Sequence, residues 1–418
     1  MSEWQEVYLN EAFDIGSGLS KPAEDFGSGF PFLSFKEIFN NFFVPEDLPE
    51  LVESSEEERD KCSVKKGDVF LTRTSETVKE LGMSCVALKD YENTTFNGFT
   101  KRLRPNGNFE IVPEYTGYYF RSAKFRNEVT ALSSASTRAS LNNEMLGRLK
   151  IVLPNKIEQE EIAAVLICLD RKIENLRKQN ETLEAIAQTL FKHWFVDFEF
   201  PNEDGNPYKS SGGEMVRSEL GEIPVGWHIG KLNELITVNP TELIKKRTFV
   251  KYVDMKSLST SSMEITDFIV REFTSGSKFR NDDTLLARIT PCLENGKTAF
   301  VNILNENEVA YGSTEFIVMR ANDNCCPEYV YCLSRNLSFR NYVIKNMTGS
   351  SGRQRVPDDR VKNYKLVVPN SSVLQFFHST CNPLFLKSKS NQRQVQTLTK
   401  TRDALLPQLM SGKLRIAE

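Results

Sequence analysis

The chain has 418 residues, 39% hydrophobic and 26% charged, which is the length of two or three domains and the composition of a globular protein. Its net charge of −3 does not announce a nucleic-acid binder, and no apolar run approaches a bilayer span, the longest being 162–169. Eight cysteines without a CxxC pair, three histidines, and an N-terminus without the regions of a signal peptide argue for a reducing cytosol and against a disulfide framework or a zinc site.

Taken from the N-terminus, WQEVYLNE (4–11) leads to an acidic stretch, EDLPELVESSEEERD (46–60), that reads as a solvated loop or helix face. GDVFLTRTS (67–75) is a short β-rich run with a polar end. VPEYTGYYFRSAKFRNEVTAL (112–132) is predicted as an amphipathic helix with a Pro-Glu start, and a strand-like segment closes at Pro154. Next comes a heptad seam: Ile162, Leu166, Leu169, Ile173, Leu176, Asn180, Leu183, Ala187, Leu190 and Trp194 alternate steps of four and three. Asn180 is its one polar position. Residues 200–226 are rich in Gly, Pro, Ser and Asn and read as a linker. Asn206-Pro207-Tyr208 within it has the look of an amino-methyltransferase motif but lacks the second proline, and it reads as a turn.

From Trp227 the chain is written a second time. WHIGKLNE (227–234) echoes WQEVYLNE. DDTLLARIT (282–290) echoes GDVFLTRTS at an offset of 215 residues, matching Asp283 to Asp68 and Arg288 to Arg73. CPEYVYCLSRNLSFRNYVIKNM (326–347) repeats the Pro-Glu helix, and GSSGRQRVPDDRVKNYKLVVP (349–369) repeats the first unit's closing segment. The GKT of ITPCLENGKTAFV (289–301) spells part of a phosphate-binding loop. The position five residues before Gly296 is Pro291, however, which has no N–H to offer a phosphate. Glu294-Asn295-Gly296 therefore reads as a turn.

A second heptad helix ends the chain, with Phe377, Cys381, Leu384, Ser388, Asn391, Val395, Leu398, Arg402, Leu405 and Leu409 on its seam and a kink or start expected at Pro383. The simplest burial of two such seams is against each other. An antiparallel register that sets Asn180 opposite Asn391 lets two buried amides satisfy one another.

The strings LICLDRKIENLRKQNETLEAIAQTLFKHWFVDFEFP, GEIPVGW, LLARITPCLENGKTAFV, YGSTEFIVMR and TRDALLPQLMSGKL resemble the specificity subunits of type I restriction–modification systems, and the resemblance covers essentially the whole chain. It implies an α+β fold with two target recognition domains, 1–154 and 227–369, whose sheets are strongly curved. Between and after them it implies a central helix (155–199), the linker (200–226) and a C-terminal helix (370–418), the helices packed as an antiparallel coiled coil. The implied function is recognition of double-stranded DNA with a bipartite target, one half per domain, in the cytoplasm of a bacterium or archaeon. Two methyltransferase (M) subunits would dock on the helices and restriction (R) subunits would join them. S-adenosylmethionine and ATP/Mg would belong to those partners, and this chain would hold no cofactor, metal or catalytic group. The rivals are a related type II specificity subunit, a spare recombination cassette, and a coiled-coil adaptor that binds only protein.

The repeat nominates the DNA-binding candidates. Arg73 and Arg288 end equivalent strand-like runs, with Thr74 and Ser75 beside the first. Thr137 and Arg138 occupy a Ser-rich loop whose counterpart carries Arg353, Gln354 and Arg355. Lys101, Arg102, Arg104 and Lys297 are further candidates for phosphate. Arginine and glutamine can pair bidentately with guanine and adenine, whereas serine, threonine and lysine more often meet phosphate. The competing role for each arginine is an ion pair that holds the fold.

Overall fold

The computed structural model describes residues 4–75, 80–133, 139–350 and 352–416. Two compact units emerge, one formed by Met1–Lys172 with Thr397–Glu418, the other by Ile173–Gln396. Among the described residues no helix is long and apolar enough to cross a membrane.

In the first unit a four-stranded antiparallel sheet runs in the order Phe13–Ser17, Thr100–Pro105, Val69–Thr72, Ser84–Val86. A smaller sheet pairs Phe26–Leu33 antiparallel with Leu51–Val52 and parallel with Thr95–Phe96. The second unit repeats both. Its first sheet is ordered Ile236–Val238, Phe316–Ala321, Thr284–Ala287, Thr298–Phe300. Its other sheet sets Phe249–Val253 antiparallel to Ile269–Glu272 and parallel to Ala310–Gly312, and adds a fourth strand, Ser277–Phe279, antiparallel to the last. In each unit a two-stranded ladder ties the first strand to the last: Gln5–Tyr8 with Lys150–Leu153, and His228–Lys231 with Lys365–Val368.

The echoed aspartates explain why the repeated sheets hold. Asp68 is fully buried and receives Arg104 Nε and Nη2 at 2.7 and 2.6 Å, as well as the Lys65 amide. Asp283 is equally buried and receives Arg320 Nε and Nη2 at 2.6 and 2.7 Å, and the Arg280 amide. A carboxyl withdrawn from water needs donors such as these to offset its lost hydration.

Each Pro-Glu helix is two helices. Pro113–Tyr119 and Ala123–Ser133 are separated near Ser122, whose hydroxyl accepts the Phe125 amide. Pro327–Arg335 and Leu337–Lys345 meet at Asn336, which ends the first in an extended conformation and caps the second through its side-chain oxygen. The amphipathic period continues through both breaks, so apolar spacing alone does not reveal them.

The long helices are Lys156–Phe191 and Ser371–Met410. Helix continues through Pro383, which is exposed and neither ends nor begins the element. In the second unit their segments are antiparallel, because Phe191 lies against Phe377 while Asn391 Nδ2 donates to Asn180 Oδ1 at 2.9 Å. In the first unit, Ile162, Leu166 and Leu409 are buried in the core, Leu405 packs against it, and Arg402 donates to Asp170 at 2.7 Å. Leu169, Val395 and Leu398 are half-buried, while Ile173 and Leu176 are buried.

The seam itself differs from a strict heptad at one place in each helix. After Asn180 the buried positions are Glu184, Ala187 and Phe191, with Leu183 and Leu190 half-buried beside them. In the facing helix Phe385 is buried and Leu384 half-buried. The inserted step turns both faces toward the globular part of the second unit. There Glu184 accepts the Tyr331 hydroxyl at 2.5 Å and the Met263 amide at 2.6 Å, and Phe385 packs edge-on against Phe300 at 4.9 Å.

Asn180 also donates to Glu264, whose carboxyl is pushed up from its ordinary value of 4.5, chiefly by burial, against the smaller lowering effects of Asn180 and Arg177. A carboxyl with a raised folded-state pKa binds its proton more tightly in the native state. Its contribution is therefore fully present below about pH 4.5 and is lost as pH rises through the raised value. Glu264→Gln keeps an acceptor for Asn180 without the buried charge. The variant is expected to melt higher than the parent near neutral pH and to match it in acid. Parallel stability–pH curves for the two proteins would refute this account.

Candidate nucleic-acid interface

Positive side chains can meet an external anion only if the fold has not already engaged them, and this separates the candidates. In the first unit the strand Val69–Thr72 delivers Arg73 to a junction of backbone bonds. Its amide donates to Phe99 O at 2.9 Å and its carbonyl accepts the Leu141 amide at 2.8 Å. Thr74 and Ser75 pair with Ser140 and Ala139. Among the described residues the Arg73 guanidinium has no carboxylate partner.

Lys101, on the adjoining strand Thr100–Pro105, is 8% exposed and donates to Ser17 Oγ at 2.8 Å. Burial, and then the nearby charge of Arg73, lower its pKa. Lys101 is therefore buried and engaged by Ser17, and its charge adds to the positive field around Arg73, where no acid pairs with Arg73 among the described residues. Phe99, two residues from Lys101, is 62% exposed and fixed by its amide to Asn97 Oδ1.

Arg102 and Arg104 are engaged. Arg102 donates to the carbonyls of Ser63 and Lys61 and lies over the Phe96 ring, and Arg104 anchors Asp68. Their alternation with Lys101 and Leu103 along the strand puts them on the opposite face. Thr137 and Arg138 lie outside the described residues.

The second unit distributes the same residue types differently. Arg288, the repeat partner of Arg73, donates to Val356 O at 3.0 Å and sits 3.2 Å from Asp358 Oδ1. Arg355 clamps Glu315 through Nε and Nη2, with a closest approach of 2.6 Å, and its hydrogen bond holds the Glu315 carboxyl below its ordinary value. Lys297 donates to Met255 O at 2.8 Å, and Gly296 adopts φ +78° in the turn before the strand Thr298–Phe300. Arg288, Arg355 and Lys297 are thus engaged as ties within the fold.

Arg353 is exposed, and its guanidinium has no hydrogen-bond or ion-pair partner among the described residues. The loop is nevertheless fixed. Thr348 and Arg355 exchange backbone bonds at 2.9 Å, Thr290 donates its amide to Gln354 O at 3.0 Å, and Gln354 donates its own amide to Thr290 Oγ1 at 3.1 Å. The Gln354 side chain is half-buried and has no hydrogen-bond partner among the described residues.

One basic feature escaped the repeat-based reading. Lys245, Lys246 and Arg247 are consecutive and exposed, between Leu243 at 88% and Phe249 at 68% exposure. The signal was the KKR run itself, which the first unit does not echo.

Comparison with known proteins gives a consistent result. The family described as type I restriction modification DNA specificity domain matches residues 1–185. The chain is 29% identical to the type I restriction enzyme MjaIX specificity subunit of Methanocaldococcus jannaschii, over all of this chain and 94% of that protein. It is 22% identical to the HindI specificity subunit of Haemophilus influenzae, over 99% of this chain and all of that one. A crystal structure of the S subunit of a type I restriction–modification system from M. genitalium shares the fold, with a TM-score of 0.57 at 14% identity, covering 97% of this chain and 96% of that chain.

Removing an engaged arginine and removing a free one are expected to differ in stability. Arg104→Ala leaves Asp68 buried and uncompensated and should cost about 3 kcal/mol, the low end for a broken buried pair because Arg104 keeps some solvent contact. Arg73→Ala and Arg353→Ala should stay within about 0.5 kcal/mol of the parent. Denaturant titration of the three variants decides; an Arg73 or Arg353 variant as unstable as Arg104→Ala would mean that the residue is a structural tie.

Proposed function

We propose, for a chain that belongs to the family of type I restriction–modification DNA specificity subunits, that each of its two units reads one half of a bipartite double-stranded DNA target. The observation that carries this reading is a repeated scaffold with unrepeated cations. Both units use one sheet order for the larger sheet and one buried Asp–Arg anchor, yet among the described residues Arg73 is the cation without an acid partner in the first unit's strand end, while Arg353 and the exposed 245–247 run take that place in the second. A single fold used twice with different basic groups suits an asymmetric target, and the halves need not be palindromic.

In this proposal 1–154 and 227–369 are the recognition domains, and the segments 155–199 and 370–418 form the spacer and the docking surface for two M subunits. A helix of 36 residues is roughly 54 Å long by its rise per residue, long enough to serve as a ruler for half-site separation. The chain performs no chemistry itself. Methylation with S-adenosylmethionine and ATP-dependent cleavage belong to the M and R partners, in the cytoplasm of the host.

Arg353 is poised to read a base edge or a phosphate, and its variant separates the two. With the M subunits present, Arg353→Ala is expected to weaken binding to the cognate site by about 1–3 kcal/mol and to relax one base position in the methylated motif mapped by long-read sequencing. Uniform weakening on all DNA, with a smaller salt dependence, would assign it to phosphate. Unaltered affinity and an unaltered motif would remove Arg353 from the interface, and the absence of any sequence-dependent complex with the parent chain would overturn the function.

A further inference from the structure

We propose that the second unit carries a zinc site formed by Cys326, Glu328 and His378. One ligand atom from each of the three lies within 4.8 Å of the others, the spread of donors around one small cation. Two of the donors belong to the start of the helix Pro327–Arg335: Cys326 is its N-cap and Glu328 lies in its first turn. The third projects from the helix Ser371–Met410.

The ordinary alternative is a Glu–His pair that merely ties the two helices. It accounts for His378 Nδ1 standing 2.8 Å from Glu328 Oε2. It leaves unexplained why a third donor of a different kind converges on the same point. Cys326 is 6% exposed, and its thiol is met only by the backbone amide of Tyr329 at the start of its own helix. Glu328, at 2% exposure, is buried with a half-exposed histidine as its ion-pair partner. A cavity of about 180 Å³ adjoins the cluster, lined by Cys326 and His378 together with Asn324, Cys325 and Gln375. It leaves room for a water at a fourth coordination position.

The donor types select the metal. Calcium and magnesium require oxygen ligands, which a thiol and an imidazole do not supply. Sulfur, nitrogen and one carboxylate oxygen suit zinc, which is borderline-soft and tetrahedral. On binding, the Cys326 thiol loses its proton to solvent as the Zn–S bond forms. His378 binds as a neutral imidazole through the nitrogen that now faces Glu328. Thiolate and carboxylate together balance the two positive charges. The site would be a structural clip between the two helices, independent of how the chain reads DNA.

The test uses the untagged full chain, stripped with a chelator and titrated with zinc ions by calorimetry, with metal content measured after gel filtration. One zinc per chain, a raised Tm on loading, and a thiolate-to-metal charge-transfer band when cobalt(II) replaces zinc are expected. Cys326→Ser and His378→Gln should each abolish stoichiometric binding, whereas Cys168→Ser, at an exposed cysteine outside the cluster, should not. Circular dichroism establishes that each variant is folded, and the cobalt band of the parent chain tests the thiolate even where a variant is not. No stoichiometric zinc in the parent, no charge-transfer band, or full binding retained by folded Cys326→Ser and His378→Gln would each overturn the site.

Discussion

A pair of buried amides sets the register on which the helical part of the second unit depends. Asn180 and Asn391 are 4% and 0% exposed, and their side chains meet in a buried seam that also holds Glu184, Ser388 and Gln392. Slipping either helix by one turn would break the bond between the two buried amides and leave Asn391 to find another partner, at a cost of about 1–3 kcal/mol. Apolar contacts alone discriminate registers weakly, since one leucine packs on another nearly as well. Asn180 also donates to Ser388 O at 3.3 Å and to Glu264, so the same side chain that fixes the helix pair fixes the pair against the globular part. Gln392 adds a bond to Ile265 O at 2.9 Å, and Glu184 reaches Met263. The segment 263–265 is thereby held by both helices.

That attachment accounts for the departure from heptad spacing. A seam serving only a partner helix can keep one face throughout. Here the face must rotate once Asn180 is passed, because Tyr331 and Phe300 of the globular part also require contacts. Glu184 is buried in place of Leu183 in one helix, and Phe385 in place of Leu384 in the other. A glutamate in a seam is costly unless its charge is met, and Tyr331, Arg335 and the Met263 amide meet it.

Much of this was legible in the sequence, and the rest was hidden for identifiable reasons. The repeat at an offset of 215 residues exposed the two-unit plan, because equivalent strands must carry equivalent aspartates. The two asparagines were legible as facing partners because a lone polar residue on an apolar seam needs one. The breaks at Ser122 and Asn336 were not, since both sit inside an uninterrupted amphipathic period. The roles of the arginines were hidden more deeply. Arg73 and Arg288 end matching runs, but Arg288 finds Asp358 and Val356 far along the chain, and Arg73 finds no acid among the described residues. Cys326 and His378 escaped for a similar reason. A spacing rule looks for neighbouring ligands, whereas Glu328 and His378 are 50 residues apart and meet only after two helices have packed.

The difference between engaged and free cations also explains why a net charge of −3 is compatible with DNA recognition. Net charge counts Arg104, Arg320 and Arg355 equally with Arg73 and Arg353, yet the first three already face Asp68, Asp283 and Glu315. Each such pair cancels at short range and contributes little field a Debye length away. The cations left over for an outside anion are those the fold has not paired with an acid among the described residues, such as Arg73 and the exposed run of Lys245, Lys246 and Arg247. The acidic residues that offset these charges in the sum need not lie near them; Glu56, Glu57 and Glu58 form the first turn of their own short helix. Local arrangement, rather than total charge, therefore decides whether this surface can hold a polyanion.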